Sequence, residues 1–174
     1  MIQATPSKLI VFAGLPGTGK STLAQALARD TGALYLRIDT LEQAIRDAGV
    51  LRDDIGPAGY VAAYAVAESN LQLGQDVIID AANALEIARE SWRALAAETG
   101  ATLVEIVISC SDQNEHRRRV ETRATDIPGL VQPTWQQVVD REWHPWTSPH
   151  HAIDTAKVRP DAALLEIRRL IGTA

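Results

Sequence analysis

The segment Gly14-Leu15-Pro16-Gly17-Thr18-Gly19-Lys20-Ser21 sets a glycine, four residues, then Gly-Lys-Ser, with Thr22 directly behind. That pattern is suited to holding a chain of phosphates. Glycines let successive backbone N–H groups turn inward and approach an anion with no Cβ in the way. A helix that starts at the end of such a loop adds its N-terminal partial positive charge at the same point. Lys20 would then reach the β- and γ-phosphates of ATP, facing ligand rather than core, while the Ser21 hydroxyl would bind Mg²⁺. A glycine-rich turn with an incidental lysine is the alternative reading.

Two carboxylates and two guanidinium groups extend the candidate site. Asp39 and Asp80 each follow a short strand candidate, Leu34 to Ile38 and Val77 to Ile79. In a parallel sheet, ligands lie beyond the carboxyl ends of the strands. Phosphoryl transfer needs a carboxylate to orient the accepting hydroxyl and another group to help hold Mg²⁺. Asp39 is the candidate for the first role and Asp80 for the second; helix capping competes with both, since aspartate is a common N-cap. Arg119 and Arg123, within Glu115-His116-Arg117-Arg118-Arg119-Val120-Glu121-Thr122-Arg123, would share one helical face. Together they could bridge a transferring phosphate. The alternative is a solvated helix with a Glu115–Arg119 surface pair.

The elements that must position these groups alternate along the chain. Leu9 to Ala13 is a continuous apolar run that reads as a buried parallel strand, leading straight into the glycine segment. Behind it, Thr22 to Arg29 places Leu23, Ala26 and Leu27 on one helical face, with a stop at Thr31-Gly32. The pattern then predicts a strand over 34–38, a short helix over 41–48, a loop over 49–59, a helix over 60–73 and a strand over 77–79. Next come a helix over 85–99 with Leu85, Ala88, Trp92, Leu95 and Ala96 on its stripe, a strand over 103–108 and a charged helix over 115–123. Residues 124–149 are rich in Pro and Trp and take no assignment. Ala152-Ile153 hints at a last strand, and 161–171 reads as an amphipathic closing helix. Repeated βα units with apolar strands imply a parallel sheet with helices on both faces.

Composition sets the outer bounds. The 174 residues, 46% hydrophobic and 22% charged, suit one compact domain spanning 1–174. No apolar run approaches the roughly 18 residues of a membrane span. Met1 to Lys8 lacks the basic segment and apolar stretch of a signal peptide, so a cytoplasmic protein is expected. Cys110 stands alone and is expected to be an inert buried thiol, which excludes a disulfide framework. The net charge of −5 counts against a general nucleic-acid binder. His116, His144, His150 and His151 show no zinc-protease spacing, and Ser109 and Ser111 lack the setting of an acyl-transfer nucleophile. Trp135, Trp143 and Trp146 are expected to cap the core, with stacking on a substrate or adenine as the alternative. Tyr60 and Tyr64 face the same choice.

Taken together, these residues resemble the small P-loop kinases, an AAA-type phosphate-loop group that holds nucleoside monophosphate, shikimate, gluconate and adenylylsulfate kinases. The chain is most similar to bacterial predicted kinases akin to the kinase domain of polynucleotide kinase. Four pieces carry the resemblance in order: Gly14 to Ser21, Asp39, the stretch Val77-Ile78-Ile79-Asp80-Ala81-Ala82-Asn83, and Arg119 with Arg123. It covers most of residues 8–125.

The resemblance implies a three-layer α/β/α fold with a five-stranded parallel sheet in the order 2-3-1-4-5. It implies Asp39 as the base for the acceptor hydroxyl, Arg119 or Arg123 as the arginine of a lid over about 112–130, and ATP with Mg²⁺ as cofactors. It also implies a small-molecule acceptor and a monomer or homodimer. Asp80-Ala81-Ala82-Asn83 resembles an Asp-Ala-Thr-Asn element of the polynucleotide kinase group, except that Ala82 replaces the threonine. Asn83 is therefore either part of that element or a turn residue. The histidine and Lys-Met motif of gluconate kinases is missing, and Glu42 stands where adenylylsulfate kinases carry an arginine. The expected activity is phosphoryl transfer from ATP to a hydroxyl. A polynucleotide 5′-hydroxyl kinase and a regulatory ATPase without acceptor are the rivals.

Overall fold

The computed structural model describes residues 6–49 and 54–173. Most of the N-terminal segment read for a leader, and residues 50–53 of the expected 49–59 loop, lie outside the described residues.

Strand β1 (Lys8–Ala13) is buried along nearly its whole length, as a run of Leu, Ile, Val and Phe demands when helices cover both faces. It sits at the centre of a parallel five-stranded sheet with β2 (Leu34–Arg37), β3 (Val77–Asp80), β4 (Thr102–Ser109) and β5 (His151–Asp154), in the order β2-β3-β1-β4-β5. The order and the all-parallel pairing are those expected. Phe12 pairs with Asp80 and with Ile106, Arg37 with Asp80, and Ser109 with Asp154. That register brings the carboxyl ends of all five strands to one edge.

Alternate residues of β1 enter opposite cores, the period-2 rule of a strand. Ile10 and Phe12 pack with Leu23 and Leu27 of α1 (Lys20–Thr31) and with Ala163 and Ile167 of α7 (Pro160–Leu170). Leu9 and Val11 pack on the other face with Ala63, Ala67 and Leu71 of α3 (Ala58–Gln72) and with Trp92, Leu95 and Ala96 of α4 (Glu86–Thr99). The layers are therefore α/β/α. No helix among the described residues is long and apolar enough to cross a membrane.

Several local expectations are corrected. Ala24, not Ala26, joins Leu23 and Leu27 on the buried face of α1. Helix α2 (Ile38–Asp47) starts directly from β2 with Arg37 as its N-cap, three residues earlier than expected, so Asp39 lies inside the first turn and makes no capping hydrogen bond. On α4 the buried stripe runs through Arg89 rather than Leu85 and Ala88, because Arg89 finds carbonyl partners there. Helix α5 (Gln113–Thr122) ends one residue before Arg123, which is extended. In the unassigned stretch, α6 (Trp135–Val139) forms behind a reciprocal Thr134–Gln137 capping box.

Candidate functional site

The glycine segment forms a tight loop at the exposed end of β1, and its close approaches show why glycine stands where it does. Gly14 has φ 151, and a Cβ there would sit 2.3 Å from the Ile108 carbonyl oxygen of β4. Its N–H donates to the Ala82 carbonyl at 3.1 Å, tying the loop to the end of β3. A Cβ on Gly17 would lie 2.6 Å from Val120 Cγ2 of α5. The Thr18 hydroxyl donates to the Leu15 carbonyl at 2.9 Å, and His116 Nε2 of α5 donates to the Pro16 carbonyl at 2.8 Å. The loop is thus clamped between β3, β4 and α5, with the N-terminus of α1 opening at Gly19.

Lys20 lines the cavity at this edge. It is also buried, and its ammonium pairs with the Asp80 carboxylate. The expectation that Lys20 faces ligand rather than core is therefore only half right. Tyr35 Oη donates to the other Asp80 oxygen at 2.6 Å. Burial alone would push the Asp80 carboxyl up. The Lys20 charge and the hydrogen bonds from Lys20, Tyr35 and Ser21 outweigh it and hold the group below its ordinary value. Arg37 Nε lies 3.7 Å from Asp39 and 4.0 Å from Asp80, and Arg37 Nη1 donates to Asp126 at 2.7 Å.

The Asp39 carboxylate is half-exposed and lines a cavity of about 850 Å³. Gly14 to Gly17, Gly19 to Thr22, Arg119 and Arg123 line the same cavity, so the structure brings together most of the residues singled out in the sequence. Thr18, buried under its bond to Leu15, and Asp80, behind Lys20, stand outside the wall.

The two arginines are not equivalent. Arg119 Nε donates to Glu115 at 2.8 Å, the pair the surface alternative predicts, but Nη1 also donates to Thr155 Oγ1 at 2.9 Å. That hydroxyl donates to the Thr18 carbonyl at 2.8 Å, so Arg119 is linked to the phosphate loop itself. Arg123 Nε is buried with no hydrogen-bond partner among the described residues. Burial pushes its guanidinium below its ordinary value, Asp39 opposes that, and Arg37 adds to it.

No cluster of three or more His, Cys, Asp or Glu side chains suited to a metal occurs among the described residues. Ser21 lines the cavity beside Lys20 and the Asp80 carboxylate bonds the same lysine, so a hydroxyl and a carboxylate nonetheless flank Lys20. That small, hard-oxygen set fits Mg²⁺, which takes one or two protein groups and completes its shell from phosphates and water.

Other expected residues turn out structural. Asn83 is fully buried in the left-handed region at φ 48. Its Nδ2 donates to the Phe12 carbonyl at 2.8 Å, and its Oδ1 accepts from Trp92 Nε1 at 3.0 Å. It is a turn residue that staples β3 to β1. The tryptophans of 133–146 do not cap the core as expected. Trp146 and Trp143 stack on the buried Arg89 guanidinium at 4.3 and 5.5 Å, and Trp135 packs edge-on against His116 at 5.1 Å. Cys110 is a buried free thiol, as expected. Tyr35, Arg37, Asp126 and Thr155 were missed. Only Arg37, a charge closing an apolar strand, carried any signal in the sequence.

A family model described as an AAA domain, AAA_33, matches residues 9–141. An uncharacterized protein of Mycobacterium tuberculosis is 34% identical over 122 residues, which are 63% of this chain and 24% of that protein. The chain thus spans about a quarter of that relative's length. A protein of Chloroflexus aurantiacus provisionally described as a kinase superposes with a TM-score of 0.76 at 23% identity, over 95% of this chain and 98% of its own. The APS kinase CysC of M. tuberculosis, in complex with AMPPNP and APS, gives 0.68 at 19% identity over 96% and 98%. These likenesses show the fold of the small P-loop kinases. The matched region holds the loop, Asp39, Asp80 and both arginines, and the chain belongs to the AAA_33 family of P-loop domains.

Proposed function

We propose that this chain transfers the γ-phosphate of ATP to a hydroxyl of a small-molecule acceptor. The observation that carries this reading is that one cavity is walled by the phosphate loop, the Asp39 carboxylate and two arginines. A binding loop alone would need neither a carboxylate at the next strand end nor cations facing it. The structural likeness to an APS kinase that binds AMPPNP supports the choice of nucleotide.

Lys20 and the loop amides hold the phosphates. Ser21 and Asp80 would hold Mg²⁺, which neutralises charge on the phosphates when bound. The acceptor oxygen attacks the γ-phosphorus, and the bond from that phosphorus to the β,γ-bridging oxygen breaks. ADP leaves, and the acceptor's hydroxyl proton passes to Asp39. Arg119 and Arg123 stabilise the charge on the phosphoryl group in flight. The net charge of −5 favours a small acceptor over a polynucleotide.

Incubation with γ-labelled ATP and a panel of alcohols, sugars and a 5′-hydroxyl oligonucleotide tests the reading. Label should appear on a small alcohol and disappear with Asp39→Ala. Hydrolysis that persists unchanged in Asp39→Ala with no acceptor labelled would instead identify an ATPase.

A further inference from the structure

A second cavity, of about 790 Å³, adjoins the first and shares Glu42, Ala82 and Arg141 with it. That volume is in the range of small-molecule sites. Its floor is aromatic: the Tyr64 ring stacks on Trp92 at 6.0 Å and 27°, and Tyr60 lies tilted on the same indole at 6.4 Å. Its walls are apolar side chains that solvent reaches, with Val61 64% and Ile87 70% exposed on α3 and α4. Exposed aliphatic groups gathered around a concave aromatic floor mark a binding surface rather than ordinary packing.

The two cavities meet where the chemistry is. Asp39 and Glu42 are three residues apart on α2, and so on one helical face. Asp39 lines the first cavity together with the phosphate loop, and Glu42 stands at the seam between the cavities. A molecule whose hydroxyl reaches Asp39 therefore extends past Glu42 onto the aromatic floor. Charge narrows the class further. Among the described residues, Glu42, Glu68 and Glu142 line this second cavity against the one cation Arg141, which disfavours an anionic body.

We propose that the phosphoryl acceptor is an alcohol with an apolar, ring-bearing body and no anionic group, and that this body lies on Tyr60 and Tyr64, which Trp92 backs from the core. The inference rests on the kinase reading for the fate of the hydroxyl, but the groove binds the apolar body whether or not transfer follows.

The test uses 2-(2-naphthyl)ethanol as probe, with D-gluconate as the polar, anionic comparator. Calorimetry in the presence of a non-hydrolysable ATP analogue should show the naphthyl alcohol binding and gluconate not. Ile87→Glu and Val61→Glu alter exposed side chains, so folding survives, and each should weaken the probe about 10-fold or more while ATP affinity stays within about 2-fold. Labelled ATP should phosphorylate the probe in preference to gluconate. If the probe binds and both variants weaken it, but no alcohol is labelled, the groove stands and the kinase reading falls. If gluconate is labelled and the variants change nothing, the kinase reading stands and the apolar acceptor falls. No binding of the probe to the wild type overturns the inference outright.

Discussion

Substituting Lys20 disturbs a buried charge as well as a ligand contact. Lys20→Met leaves the fully buried Asp80 carboxylate without its nearest ion partner, with only Arg37 Nε remaining at 4.0 Å. Breaking such a pair from one side costs about 3–5 kcal/mol. We expect a lower midpoint in denaturant melts, substantial recovery in Lys20→Met with Asp80→Asn, and weak ATP binding in both proteins. A single variant as stable as wild type would mean that the pair is not held in solution. The pH dependence has a definite sign. The folded Asp80 value is lowered from its ordinary 3.8. Its contribution is therefore fully present above about pH 4 and is lost as pH falls through the depressed folded value. Melts between pH 6 and 2 should show Asp80→Asn with a shallower acid decline than wild type, and equal slopes would contradict the assignment. The arginines divide differently. Arg123→Met removes a half-buried guanidinium whose Nε has no hydrogen-bond partner among the described residues, so turnover should fall while the melting temperature holds or rises. Arg119→Ala should lower both, since it cuts bonds to Glu115 and Thr155. Roles at this scale were legible where they are local to the chain, as in Gly14 to Thr22. Tyr35, Arg37 and Thr155 were not, because each gains its partner only through strand register or a contact distant in sequence.

Helix α5 is pressed against the phosphate loop by contacts that leave no room for a side chain at Gly17. Its φ of 85 and the 2.6 Å approach to Val120 Cγ2 together oppose any L side chain. Gly17→Ala should push α5 away from the loop and weaken ATP by about 10-fold or more, the effect of losing about 1.4 kcal/mol of binding. Calorimetry with ATP measures it, and wild-type affinity would show that the clamp is not needed. Apolar runs such as Leu9 to Ala13 and Val77 to Ile79 announced their strands because both faces are buried. The start of α2 was misplaced for a tertiary reason. Ile38 reads as the last residue of an apolar strand, yet its side chain is buried from the first turn of a helix. The segment from 124 to 149 resisted reading because Arg89 organises it. The Arg89 guanidinium donates to the His144 and Pro145 carbonyls while lying under Trp146, and nothing in the helical pattern marks a buried arginine.

At the scale of the molecule, the sheet order places β1 between β3 and β4, so the loop after β1, Asp39 just after β2 and Asp80 closing β3 converge on one edge. Fold class and sheet order were legible from alternating βα units and the resemblance. The joined cavities were not, since they arise only when α2, α3 and α4 pack together. The central claim is that Asp39 serves the chemistry of this edge rather than its architecture. It makes no capping bond, and its main ion contact is a 3.7 Å approach to Arg37. Asp39→Asn keeps the shape and removes the charge, so stability should change by less than about 1 kcal/mol, the size of a favourable charge at a helix N-terminus. The decisive measurement is the rate of label transfer from γ-labelled ATP to the acceptor by wild type and Asp39→Asn, at saturating ATP. We predict a fall of about 10² or more, the usual worth of a positioned base, with ATP affinity and melting temperature nearly unchanged. Transfer at the wild-type rate by a variant that melts much earlier would contradict the account and make Asp39 a structural residue.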